Sequence, residues 1–92
     1  MAVTVKIRTP LRGLTSNQDT VSADGADTIG EAIVTLEQQY PGMRERLLDD
    51  TGELRRFVNI YVNGEDIRFL DGLGTAIKSG DELSIVPAVA GG

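Results

Sequence analysis

At the start of the chain Val3, Val5 and Ile7 alternate with Thr4, Lys6 and Arg8. A period of two predicts a strand with one buried face. Pro10, Gly13, Ser16 and Asn17 follow and read as a loop or hairpin turn. "DTVSAD" then makes a second, weaker strand, with Val21 as its core candidate. From here the period changes. Across "TIGEAIVTLEQQYPG" the apolar residues Ile29, Ile33, Leu36 and Tyr40 fall on one helical stripe. Thr28 and Glu31 have capping-box spacing at its start, and Pro41 and Gly42 stop it. "MRERLL" adds one helical turn, with Met43 and Leu47 tucked back.

"TGELRR" is a turn, and "FVNIYV" begins the strongest strand. Val58, Ile60 and Val62 share one face, while Phe57, Asn59 and Tyr61 share the other. Asn63, Gly64 and Glu65 form a strong hairpin signal, because Asn and Gly tolerate positive φ. "DIRFL" reads as a short edge strand. Leu73, Ala76 and Ile77 suggest one 3₁₀ turn, and Gly80-Asp81 a bend. "LSIV" is the last strand, with Leu83 and Ile85 inward; Pro87 has no N–H, so pairing is expected to fade there. The order is ββαβββ, and no fixed-period repeat interrupts it. A sheet with a single amphipathic helix must bury its apolar side beneath that helix, which predicts a two-layer α+β domain. Residues 1–87 are expected to form it, and 88–92 a flexible tail.

Composition narrows the chemistry. The 92 residues contain no cysteine and no histidine. Thiolate nucleophiles and thiolate metal sites are therefore excluded, as are the usual general base and the commonest transition-metal ligand. Absence of disulfides fits the cytoplasm. No apolar run approaches the roughly 20 residues of a membrane-spanning helix, and "MAVTVKIRTP" does not have the pattern of a signal peptide. The net charge of −5 disfavours nucleic acid and anionic membrane as partners and favours a basic protein surface.

Most of the remaining candidates have plain readings. Gly72, Gly74 and Gly80 lie outside any phosphate-binding motif and are expected to be turn glycines. The acidic pairs Asp49-Asp50, Glu65-Asp66 and Asp81-Glu82 sit beside glycines and are expected to be solvated turn carboxylates. Arg44, Arg46, Arg55 and Arg56 read as a solvated basic face. Phe57 and Tyr61 differ, because strand alternation puts them on the open face of the sheet with Val86 as a neighbour. They are either routine cross-strand packing or a patch for a partner.

The end of the sequence, "PAVAGG", runs from Pro87 through Ala88, Val89 and Ala90 to Gly91 and Gly92. Small side chains dominate it, and Ala88 to Gly92 extend roughly 17 Å at about 3.3 Å per residue. A slim tail of that reach suits threading into another protein's active site, where glycine allows close backbone approach.

In these features the chain resembles the ubiquitin-like sulfur-carrier family, the MoaD/ThiS group with a β-grasp fold. The resemblance rests on the ββαβββ order, on "VNGE" (Val62 to Glu65), on "GDELSIVPAVAGG" (Gly80 to Gly92) and on the diglycine. "FVNIYVNGEDIRF" with "PAVAGG" is most similar to the carriers devoted to cysteine biosynthesis. Many molybdopterin-synthase small subunits have a second proline where this chain has Ala88.

The resemblance implies a mixed sheet of about five strands on one main helix. It also implies that a ubiquitin-activating-type enzyme uses ATP, with Mg, to adenylate the Gly92 carboxylate. A sulfur donor then displaces AMP and leaves a thiocarboxylate. In the cysteine branch the sulfur passes to an acceptor on a pyridoxal-phosphate enzyme resembling cysteine synthase, and a metalloprotease releases the product. The chain itself would bind no cofactor and catalyse nothing. Gly91 and Gly92 would occupy narrow channels in these enzymes, Pro87 to Ala90 would set the exit direction, and Phe57, Tyr61 and Val86 would dock the partner. The molybdopterin-synthase large subunit, a thiamine-pathway acceptor or a tRNA-thiolation system are alternative recipients. A modifier conjugated through Gly92 is the alternative of another class, followed by a plain interaction domain and, last, an autonomous enzyme.

Overall fold

The computed structural model describes residues 2–8, 13, 15 and 18–87. Strand β1 (Ala2–Ile7) buries Val3, Val5 and Ile7 and exposes Thr4 and Lys6, as the period of two requires. Strand β2 (Thr20–Asp24) pairs antiparallel with it, placing Val5 opposite Val21, and both Val21 and Ala23 are buried. Strand β3 (Val58–Val62) alternates buried and half-buried residues. Strand β4 (Glu65–Asp66) folds back on β3 through Asn63 (φ 50°) and Gly64 (φ 90°). Two consecutive positive φ values are what a tight primed turn demands, which is why Asn-Gly stands here.

The last strand, β5 (Glu82–Pro87), fills the centre of the sheet. It runs parallel to β1, with Ile7 opposite Ile85, and antiparallel to β3, with Ile60 opposite Ile85. The strand order is β2-β1-β5-β3-β4. The strand leading into the tail is therefore held from both sides.

Helix α1 (Ile29–Gln39) covers the apolar face with Ile29, Ala32, Ile33 and Leu36. Its N-terminus is capped in both directions. Thr28 Oγ1 accepts from Glu31 N at 3.2 Å, while Glu31 Oε1 accepts from Asp27 N at 2.9 Å. The returning arm thus reaches one residue before the cap. After Tyr40, Gly42 turns the chain at φ 102° into the short helix α2 (Met43–Leu47). That turn has no side-chain cap of its own; instead Glu37 on α1 accepts from Gly42 N and Arg44 N. Met43 and Leu47 close the end of the core. A mixed five-stranded sheet wrapped over one principal helix is the β-grasp fold.

Several local expectations are corrected. The strand expected from Phe57 begins at Val58. "DIRFL" is not an edge strand: after two residues of β4 the chain enters a 3₁₀ turn, Ile67–Phe69. The cause is Asp66, whose Oδ1 accepts from Arg68 N at 2.8 Å and offers the backbone a turn in place of a ladder. The second 3₁₀ turn falls at Gly72–Gly74, ahead of Ala76 and Ile77; Ala76 bridges to Thr28, and Ile77 is buried. Pairing does not fade before Pro87, which stands opposite Val58. Asn63 N donates to Glu82 O, so alternate residues of β5 carry the bonds to β3 and Pro87 falls at a position that needs no N–H on that side.

Candidate functional site

The site begins where β5 ends. Asn59 and Tyr61 on β3, and Ser84 and Val86 on β5, alternate with buried neighbours and so face away from the helix. The register sets Asn59 opposite Val86 and Tyr61 opposite Ser84. Val86 and Tyr61, expected to be neighbours, do share this face and are half-buried. Phe57 lies in the turn just before β3 and is 44% exposed. Pro87, half-buried, is the last described residue. Ala88, Val89, Ala90, Gly91 and Gly92 lie outside the described residues, so their expected threading role has no geometry here.

Arg68 completes this face, and nothing in the periodicity singled it out. Its guanidinium donates to Asn59 Oδ1 on β3 at 2.6 Å, and to Arg55 O at 2.9 Å and Arg56 O at 3.4 Å just before that strand. The turn carrying Phe57 is thereby tied to the middle of the face. The signal in the sequence is slight: an Asp-x-Arg step, Asp66 to Arg68, that starts a turn and directs the arginine back. Further along the face, Lys6 Nζ lies 3.5 Å from Glu82 Oε1, with both side chains about half exposed. That ion pair contributes little to stability, being solvated. It does put formal charge at one end of β5, while the strand's own residues toward the tail, Val86 and Pro87, are apolar.

Asp81 is not a solvated turn carboxylate. It is 8% exposed, with Oδ1 accepting from Asn63 Nδ2 at 3.1 Å and Oδ2 from Lys78 N at 2.9 Å. Asn63 Oδ1 in turn accepts from Glu82 N at 3.0 Å. "VNGE" and "GDEL" are thus two halves of one clasp, which closes β3 against the start of β5. These bonds, first that from Lys78 N and then that from Asn63, hold the Asp81 carboxyl below its ordinary value. Asp49, half-buried, is lowered too, by the Thr51 hydroxyl at 2.6 Å and then by Glu53 N. Lowered carboxyls are ionised hydrogen-bond acceptors; a general acid needs the opposite shift.

Of the arginine cluster, Arg44, Arg46 and Arg56 are exposed, and Arg55 Nε donates to Glu45 O. Among the described residues no group of acidic side chains is arranged to hold a metal ion, and no helix is long and apolar enough to cross a membrane. Chemically, the described part of the molecule offers a face and a firmly held exit strand.

Known proteins share this fold. The chain is 57% identical over 94 residues to the sulfur carrier protein CysO of Mycobacterium tuberculosis, covering 100% of both. The crystal structure of CysO from that organism superposes with a TM-score of 0.88 at 56% identity, over 95% of this chain and 99% of that one. A chain in the crystal structure of the Amycolatopsis orientalis BexX/CysO complex gives a TM-score of 0.91 at 47% identity, over 99% of this chain and 100% of that one. Small archaeal modifier protein 3 of Haloferax volcanii is 42% identical over 69 residues, 75% of this chain and 74% of that protein. Residues 5–92 match the ThiS family, a span that takes in the sheet from Val5 onward and the clasp described above. By that match, and by relatives alike from end to end, the chain belongs to the ThiS family.

Proposed function

We propose that this protein is a sulfur carrier whose working atom is the carboxylate of Gly92, and that it serves cysteine formation. The observation that carries the reading is the end-to-end 57% identity to a protein named as the sulfur carrier CysO. The absence of cysteine and histidine agrees with it, because a carrier needs no nucleophile of its own.

A Gly92 carboxylate oxygen attacks the α-phosphorus of ATP, and pyrophosphate leaves. A sulfide-equivalent sulfur attacks the acyl carbon, AMP leaves, and a C–S bond replaces the C–O bond. The thiocarboxylate sulfur then attacks an electrophilic carbon of the acceptor enzyme's substrate, forming a new C–S bond. Water cleaves the acyl linkage to release the sulfur-bearing product and return the Gly92 carboxylate. In this sequence the chain does three things. Strand β5, paired on both sides, gives the tail a fixed origin. Phe57, Tyr61 and Val86 dock the partner enzymes near that origin. Gly91 and Gly92, lacking Cβ, fit where the partner's active site is narrow.

The test is removal of Gly92. With an ATP-dependent activating enzyme, pyrophosphate exchange driven by the full chain should vanish for the shortened one, while the melting temperature stays unchanged. Persistence of exchange without Gly92 would refute the assignment. A second reading, conjugation to other proteins, draws on the identity to the archaeal modifier. It predicts Gly92 joined to lysine side chains, detectable by peptide mass spectrometry.

A further inference from the structure

Arg68 is exposed, yet its guanidinium is closely engaged. Nη1 donates to Asn59 Oδ1 at 2.6 Å, and Nη2 donates to Arg55 O at 2.9 Å and Arg56 O at 3.4 Å. All three acceptors are uncharged. Exposed bonds of this kind compete with water, and an ordered arginine gives up side-chain freedom, so their net contribution to stability is small. What they fix is geometry. The backbone of Arg68 is held by Asp66 Oδ1 on its N–H at 2.8 Å, and Ile67 beside it is fully buried. Asn59 is half-buried within β3, opposite Val86 on the central strand. The arginine is therefore a strut with both its root and its Asn59 contact on ordered parts of the fold.

The two carbonyls that it grips lie in a turn outside β3. Arg55 N donates to Leu47 O at 2.9 Å, and Val58 N donates to Arg55 O at 3.0 Å, which closes that turn around Arg56 and Phe57. Arg68 adds a second bond on Arg55 O and one on Arg56 O, the carbonyl of the peptide that leads into Phe57. Rotation of that peptide would swing the Phe57 ring, which is 44% exposed on the face beside the tail-bearing strand. A planar guanidinium serves these three acceptors from two nitrogens at once. Lysine, with one nitrogen, cannot reproduce the spread.

We propose that Arg68 is a positioning residue for the activation of Gly92. It acts through Phe57, holding the turn so that the ring meets the ATP-dependent activating enzyme already oriented. The role rests on the carrier reading and adds to it a residue that need not touch the partner. A ring oriented in advance lessens the ordering that binding demands, so loss of Arg68 raises KM and leaves kcat alone.

The experiment follows ATP-dependent activation against carrier concentration with the purified activating enzyme. It compares the full chain with Arg68→Gln, Arg68→Lys, Phe57→Ala, and Arg68→Gln combined with Phe57→Ala. Arg68→Gln should raise KM about fivefold, the size of one net hydrogen bond, with kcat within about twofold. Arg68→Lys should behave like Arg68→Gln, because the charge remains and the fork is lost. Phe57→Ala should raise KM about tenfold, and the combined variant should lie within about twofold of it, since Arg68 then has no ring left to position. A direct contact by the arginine would instead multiply the two losses, to about fiftyfold. Should Arg68→Gln fail to fold, Asn59→Ala removes the 2.6 Å bond and takes its place in the same comparison. An unchanged KM for a folded Arg68→Gln variant overturns the positioning role. Recovery by lysine overturns it too, as does a multiplied loss in the combined variant, and each of these leaves the carrier reading intact. Failure of the wild-type chain to be activated overturns both.

Discussion

Asp81→Asn is the sharpest perturbation of the clasp. In the wild type one carboxylate oxygen accepts from Asn63 Nδ2 and the other from Lys78 N. Asparagine keeps one oxygen and turns an NH₂ toward the second donor. Asn63 cannot relieve this by flipping its amide, because its own Oδ1 holds Glu82 N at 3.0 Å. One charge-assisted bond is therefore lost, at about 1.5–3 kcal/mol, with the low end favoured because Asn63 itself is exposed. About 2 kcal/mol corresponds to a fall in Tm of about 10 °C for a domain of this size. The carboxyl is lowered in the folded state, so its contribution is full above the unfolded value of about 3.9 and is lost as pH falls through the folded value. Thermal melts followed by circular dichroism should show the wild type and variant far apart at pH 7, converging below about pH 4. A gap under about 2 °C at pH 7 would refute the reasoning, as would a gap that persists in acid.

Thr28→Ala removes the acceptor for Glu31 N and should cost about 1 kcal/mol, read as a fall in Tm of about 5 °C; Thr28→Ser should be nearly silent. Tyr61→Ala and Phe57→Ala should weaken binding to the activating enzyme about tenfold by calorimetry, with Phe57→Ala lowering Tm by about 5 °C, because Phe57 is 44% exposed and so only partly covered. Wild-type binding should weaken as salt is added, in keeping with a net charge of −5.

The elements that could be read from sequence were those whose pattern is carried within one segment. Val3, Val5 and Ile7 needed only their own alternation to declare β1, and Ile29, Ile33 and Leu36 their spacing to declare α1. Asn63-Gly64 announced its turn because few other residues accept those backbone angles. What escaped depends on groups brought together from afar. Asp81 looks like any turn acid until Asn63, 18 residues earlier, meets it and lets it be buried. Arg68 takes its importance from acceptors 9 to 13 residues away, and its Asx turn cut short a strand that "DIRFL" suggested by composition.

The family resemblance was legible for the same reason in part. "VNGE" and "GDEL", which carry the resemblance, are one structural clasp, whereas the proposed chemistry resides in Gly92, beyond it. That separation predicts that the fold and the reaction can be altered independently.

The most direct measurement is the intact mass of the chain after incubation with its activating enzyme, ATP and a sulfide source, with fragmentation to locate the change. The account predicts a gain equal to one oxygen exchanged for sulfur, confined to Gly92, present only with ATP and reversed when an acceptor enzyme and its substrate are added. An unchanged mass under conditions where pyrophosphate is released would contradict it.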